Sequence, residues 1–164
     1  MIKRRFFLLL VVALVAALAD VSAAADLPYD TKADAGAQVR LALAQGADQH
    51  RPTLIIFGAN WCSDCRVLWK VLQQPENQDL LATCFQLVKV DVGEFDHNMA
   101  LAMEFDNPTA GGIPAAVVVD AGGKQVYSTK AGELADARRM SPAGIHDFLV
   151  KLARLGGAPL PVPP

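Results

Sequence analysis

The stretch PTLIIFGA at residues 52–59 carries no charge and sets β-branched and large apolar residues side by side. A half-exposed strand would alternate polar and apolar positions. An unbroken apolar run of this length reads instead as a strand covered on both faces, in the middle of a sheet. Such a strand needs a layer of packing on each side, so the chain must build helices above and below it. Immediately after the run comes WCSDC (61–65), which places two cysteines three positions apart behind a tryptophan.

The remaining elements fit that demand. Residues 33–49 show an apolar stripe of Ala37, Leu41 and Ala44, with Val39 and Leu43 beside it, at helical spacing. Residues 65–74 read as a helix that Pro75 ends. CFQLVKVDV (84–92) reads as a second strand, 96–105 as a helix and NPTAGGIP (107–114) as a loop. AAVVVD (115–120) and QVYST (125–129) form a hairpin across the turn AGGK. SPAGIHDFLVKLARL (141–155) opens with a cap serine and a first-turn proline, and sets Ile145, Phe148, Leu149 and Leu152 on one face. The expectation is an α/β fold with a mixed sheet of about four to five strands and helices on both faces.

The chain opens with Lys3, Arg4 and Arg5, then Phe6–Ala19 without a polar residue, then small residues. That is the pattern of a secretory signal peptide over residues 1–25, cleaved after Ala23 or Ala25. The apolar run of 14 residues is short of the about 20 that a membrane span needs, so no stable insertion is expected after cleavage. Residues 26–155 form the expected domain, and GGAPLPVPP (156–164) a Gly/Pro-rich tail, disordered or extended. Without residues 1–25 the 15 Lys and Arg fall to 12 and the 17 Asp and Glu to 16, a formal charge of −4. A mildly acidic surface argues against nucleic-acid binding.

Export keeps disulfides possible, yet three cysteines are too few for a stapled scaffold and leave one odd. Cys62 sits where a strand passes through a short loop into a helix. Unpaired N–H groups and the positive helix end there favour thiolate, the reactive form. Cys62 is therefore the expected exposed attacker. Cys65, one turn into the helix, is the buried resolving thiol within bridging reach. Trp61 shields the pair and offers a flat apolar surface to an incoming chain.

These residues resemble the thioredoxin family over roughly residues 33–155. Trp61-Cys62-Ser63-Asp64-Cys65 after a buried strand is similar to its Trp-Cys-x-x-Cys, and Gly112-Ile113-Pro114 before a later strand is similar to its cis-proline loop. The resemblance implies a thioredoxin fold and a thiol–disulfide oxidoreductase with no cofactor beyond the redox-active Cys62–Cys65 disulfide. It implies a cis peptide before Pro114, with Trp61, Gly112, Ile113 and Pro114 meeting an extended substrate segment. Thioredoxins proper carry a buried acid six positions before the first cysteine, where this chain has Ile56. Asp64 is the candidate to take over: it either accepts the Cys65 proton or opposes the Cys62 thiolate, or it is a solvated helix-start acid. Lys89 reads as an exposed strand lysine, and Cys84 as a small buried hydrophobe.

The expected partners are exported proteins with thiols or disulfides and a membrane electron donor. The protein is expected to act as a monomer in the periplasm and in the reductive direction, because no second domain of the kind that dimerises many isomerases is evident. Two other readings compete: a copper-binding module using both thiolates, and a redox-inactive thioredoxin-fold interaction domain. His50, His97 and His146 lie scattered, away from the cysteine pair, so no metal site is expected.

Overall fold

The computed structural model describes residues 27–160; the expected signal peptide lies outside the described residues. The run at 52–59 forms β1 (Thr53–Gly58), every residue of it buried. It pairs in parallel with β2 (Gln86–Asp91) and antiparallel with β3 (Ala115–Val119), which pairs in turn with β4 (Gln125–Ser128). The strand order is β2-β1-β3-β4, a four-stranded mixed sheet with β1 inside it.

Side chains alternate cleanly between two cores. Ile55, Phe57, Val88, Val90, Ala115 and Val117 face α1 (Ala35–Asp48) and the short α4 (Met99–Glu104). Leu54, Ile56, Ala116 and Val118 face α2 (Ser63–Leu72), α3 (Pro75–Cys84) and α5 (Pro142–Leu155). The caps follow the sequence. Asp34 accepts from Ala37 N at 2.9 Å, and Ser141 accepts from Gly144 N at 3.0 Å ahead of Pro142.

Two expectations need correction. Pro75 does more than end α2: it occupies the first turn of α3, where a missing N–H costs nothing. Cys84 is thus the last residue of that helix and not a strand start, although it is fully buried as expected. The first residues of the tail are also packed, with Ala158 and Leu160 against the second core and the Cys84 thiol donating to Pro159 O at 3.5 Å. Among the described residues no helix is long and apolar enough to cross a membrane.

β1 and β3 run antiparallel with Phe57 opposite Ala115. The loop leaving β1 and the loop entering β3 therefore emerge at the same end of the sheet, and the cysteine pair and Pro114 meet there.

Candidate active site

Cys62 is the N-cap of α2. Its extended backbone (φ −67°, ψ 117°) leaves the first-turn N–H groups free, and its Sγ accepts from Cys65 N at 3.1 Å. A capping position that oxygen usually fills is filled here by sulfur. No disulfide joins the two cysteines. The Cys65 thiol donates to Cys62, and this bond, with backbone N–H groups of the first turn, brings the Cys62 thiol down to about 7 from its ordinary 9.0 against the cost of burial. The same shared proton, with burial, drives Cys65 far above its ordinary value. The pair thus holds one proton over a wide pH range, with the negative charge on Cys62.

Cys62 was expected to be exposed. It is 5 % exposed and Cys65 1 %. The cover comes partly from the β3 loop. The Ile113–Pro114 bond is cis, and Cys62 Sγ lies 3.5 Å from Ile113 O. Gly112 enters this loop at φ 111°, a conformation that a side chain would resist, and a Cβ there would lie 3.0 Å from Ala135 Cβ.

Trp61 stands at the rim, 48 % exposed. Its indole Nε1 donates to Gly93 O at 2.8 Å, and its ring meets Phe95 edge-on at 6.3 Å between centroids. Arg66 reaches back to the carbonyls of Asn60 and Trp61, at 2.8 Å each, and fixes the loop between strand and helix.

Asp64 is not a solvated acid. It is 6 % exposed, with Oδ2 3.0 Å from Arg138 Nε and Oδ1 accepting from Arg138 N at 2.9 Å. It ties the first turn of α2 to the short 3-10 turn Ala137–Arg139. Its charge still acts on the pair, pushing the Cys62 thiol up against the larger hydrogen-bond effects. Lys89 is half-buried rather than exposed. It lies opposite Ile56 in the β1–β2 ladder, with Nζ 3.5 Å from the centroid of the Trp69 ring.

One neighbour of the pair has no precursor in the motif. Tyr29, from the segment before α1, is 5 % exposed, and its hydroxyl and the Cys65 sulfur converge on the same point above residue 58, where the phenol draws the Cys65 thiol down against burial. Asn60 holds that segment at two points, accepting from Tyr29 N at 3.0 Å and donating to Tyr29 O at 2.8 Å. The glycine at 58 makes room: a Cβ there would overlap Tyr29 Oη and come within 2.8 Å of Cys65 Sγ. An isolated tyrosine in DLPYD gives no periodic signal; the neighbouring glycine and asparagine were the legible hints. Among the described residues no group of three His, Cys, Asp or Glu side chains is placed to hold a metal ion.

A strand-to-helix dithiol faced by a cis-proline loop on a β2-β1-β3-β4 sheet defines the thioredoxin class of oxidoreductases. Residues 34–121 match the thioredoxin-like family model. The chain belongs to the thioredoxin-like family, as an oxidoreductase with its Cys-x-x-Cys pair at Cys62 and Cys65. A crystal structure of a disulphide isomerase from Xylella fastidiosa Temecula1 is 53 % identical, covering 79 % of this chain and 98 % of its own, with a TM-score of 0.77. A DsbH oxidoreductase (22 % identity, 71 % of this chain and 79 % of its own, TM-score 0.53) shares the fold. So does a thioredoxin from Thermus thermophilus (23 %, 72 % and 85 %, 0.51). No curated protein matches the sequence.

Proposed function

We propose that the protein opens disulfides of exported proteins from its dithiol form. The observation that carries this is the placement of the two sulfurs: Cys62 Sγ caps the helix start at 3.1 Å from Cys65 N and lies 3.5 Å from the Ile113 carbonyl of the cis-proline loop, while Cys65 lies deeper, and this setting lowers the Cys62 thiol to about 7. The Cys62 thiolate attacks a substrate disulfide R–S–S–R′, forming Cys62–S–S–R and expelling R′–S⁻. Cys65 then displaces R–S⁻, which leaves with the Cys65 proton as R–SH, and the Cys62–Cys65 disulfide remains. The two electrons passed to the substrate return from a dithiol-bearing donor at the membrane. Trp61 and the Gly112–Pro114 loop flank the attacking sulfur and receive an extended substrate segment. The basic, then apolar, start of the chain supports export to the periplasm, and the protein acts there as a monomer.

The Xylella relative favours a second reading, isomerisation. It uses the same first step, but a substrate thiol releases Cys62 and no electrons are consumed. Cys65→Ser separates the two. A reductase stalls as a mixed disulfide with its client, and that adduct can be isolated from the exporting cell and its partner sequenced. An isomerase keeps unscrambling a mispaired test protein without Cys65. A pair that neither reduces an insulin disulfide nor repairs a scrambled protein, while exchanging electrons with no redox buffer, sinks both readings in favour of a passive bridge.

A further inference from the structure

Resolution of the mixed disulfide poses a problem for this site. Once Cys62 is bonded to substrate, it no longer draws on the Cys65 proton. Cys65 must then carry charge at a position 1 % exposed, where burial pushes a thiol away from its reactive form and the Ala59 N–H is the one backbone donor that offsets it. Asp64, the acid nearest in sequence, is turned to Arg138. Ile56 belongs to the opposite core from Cys65.

We infer that Tyr29 is a catalytic hydrogen-bond donor to the resolving thiol: its phenol, seated over Gly58 and held by Asn60, stabilises the Cys65 sulfur as it attacks the mixed disulfide. The inference rests on the exchange chemistry proposed above. In the step, the Cys65–Cys62 bond forms and the Cys62–substrate bond breaks. The electron pair leaves on the substrate sulfur, which ends with the proton Cys65 gave up. Tyr29 keeps its own proton throughout.

Three placements argue for this role. Tyr29 belongs to the same apolar core as Ile55, Phe57 and Val90, where a hydroxyl without a partner would be costly. The backbone on either side of Tyr29 is clamped to the loop that carries the cysteines, so the hydroxyl moves with the site. The strand beneath lacks the Cβ that would collide with both hydroxyl and sulfur. Burial, the two cysteines and Asp91 all hold the phenol well above its ordinary value, so it stays a donor where the enzyme works. In the resting dithiol the phenol thus sits on the Cys65 side of the pair, across that sulfur from Cys62 Sγ, which accepts from Cys65 N at 3.1 Å. The charged or titratable groups bearing on Cys65 are then Cys62 and Tyr29, with Asp91 acting on the phenol and Asp64 on Cys62.

The test separates the two half-reactions with Ellman's reagent, in the full chain carrying Cys84→Ala so that only the pair reports. The first thiophenolate released marks attack by Cys62, and the second marks resolution by Cys65. Tyr29→Phe should leave the first phase within about threefold and slow the second by at least about tenfold. The pH midpoint of the second phase should move up. A merely structural tyrosine would lower the melting temperature and leave the ratio of the phases and the midpoint alone; that result overturns the inference. Should the variant fail to fold, fluorotyrosine in place of the two tyrosines of the chain keeps the ring. Its more acidic phenol should speed the second phase and lower its midpoint, and an unchanged second phase overturns the inference equally. Wild-type protein that completes both phases but opens no protein disulfide would defeat the proposed function and leave the role of Tyr29 standing.

Discussion

The first turn of α2 and the segment around Tyr29 contribute to the same site in opposite ways. The first turn is contiguous with the motif, yet its acid faces outward from the pair to Arg138 and makes a structural tie. The segment around Tyr29 is more than thirty positions away in sequence, yet it delivers a hydroxyl to the resolving sulfur. The difference follows from geometry. A helix that starts with its cap thiol toward one core points its next residues around the helix, away from that thiol, while the vacant side of the sulfur is open to whatever chain passes across the end of β1. Proximity in sequence is a poor guide to which groups tune a sulfur at a helix start.

The comparison breaks most visibly at Gly58. Gly58→Ala places a methyl into the Tyr29 hydroxyl and the Cys65 sulfur from the end of a fully buried inner strand. It should cost about 3 kcal/mol in urea unfolding, and a loss below about 1 kcal/mol would mean that the phenol moves aside freely. Asn60→Ala removes both bonds to the Tyr29 backbone. We expect about 2 kcal/mol of destabilisation and faster hydrogen exchange confined to the segment before α1. Exchange rising equally in α2 would show that the two regions are not separately held.

The dithiol itself supplies a pH signature. Between about pH 7 and the ordinary thiol value of 9.0, the folded pair holds one proton and the unfolded chain two, so stability rises with pH. Above that value the unfolded chain has released both protons while Cys65 keeps its own, and stability falls again. The reduced protein should therefore be most stable near pH 9, by on the order of 1–2 kcal/mol over pH 6. Cys62→Ala should abolish the rise, and a flat profile in the wild type would contradict the charge placement. The smallest effect belongs to Asp64→Asn. The variant keeps an acceptor for Arg138 N but loses the charge. It should cost about 1 kcal/mol and speed alkylation of Cys62 at pH 6 by no more than about threefold. A slowing would mean that the carboxylate helps the thiolate rather than opposing it.

Much of this was legible in the sequence where one local signal had one meaning. The unbroken apolar run could be nothing but an inner strand, and its two neighbours in the ladder carried enough valine to be found. Ser141-Pro142 marked a helix start without ambiguity. Pro75 was read as a stop because a proline ends one helix and begins another by the same missing N–H, and Pro75–Cys84 offers too few apolar positions to decide between them. The sequence leaves Asp64 open between a role at the pair and a solvated helix start, and it reads Lys89 as exposed because Ile56 stands where the family's acid would be. Arg138 and Trp69, which cover them, come from elements whose docking no local pattern encodes. Tyr29 was missed for the same reason in reverse: its value lies wholly in what it touches.

The hairpin between β3 and β4 turns at residues 120–124, at the opposite end of the sheet from Pro114. Asp120 closes that turn by itself, accepting from Gly122 N and Lys124 N at 2.9 Å each, and a Cβ on Gly123 would meet nothing within 4 Å. Added length there would be absorbed by a loop that shares no contact with the dithiol. A fluorophore or an affinity handle spliced between Gly122 and Gly123 would report on captured clients while leaving the chemistry at the far rim undisturbed.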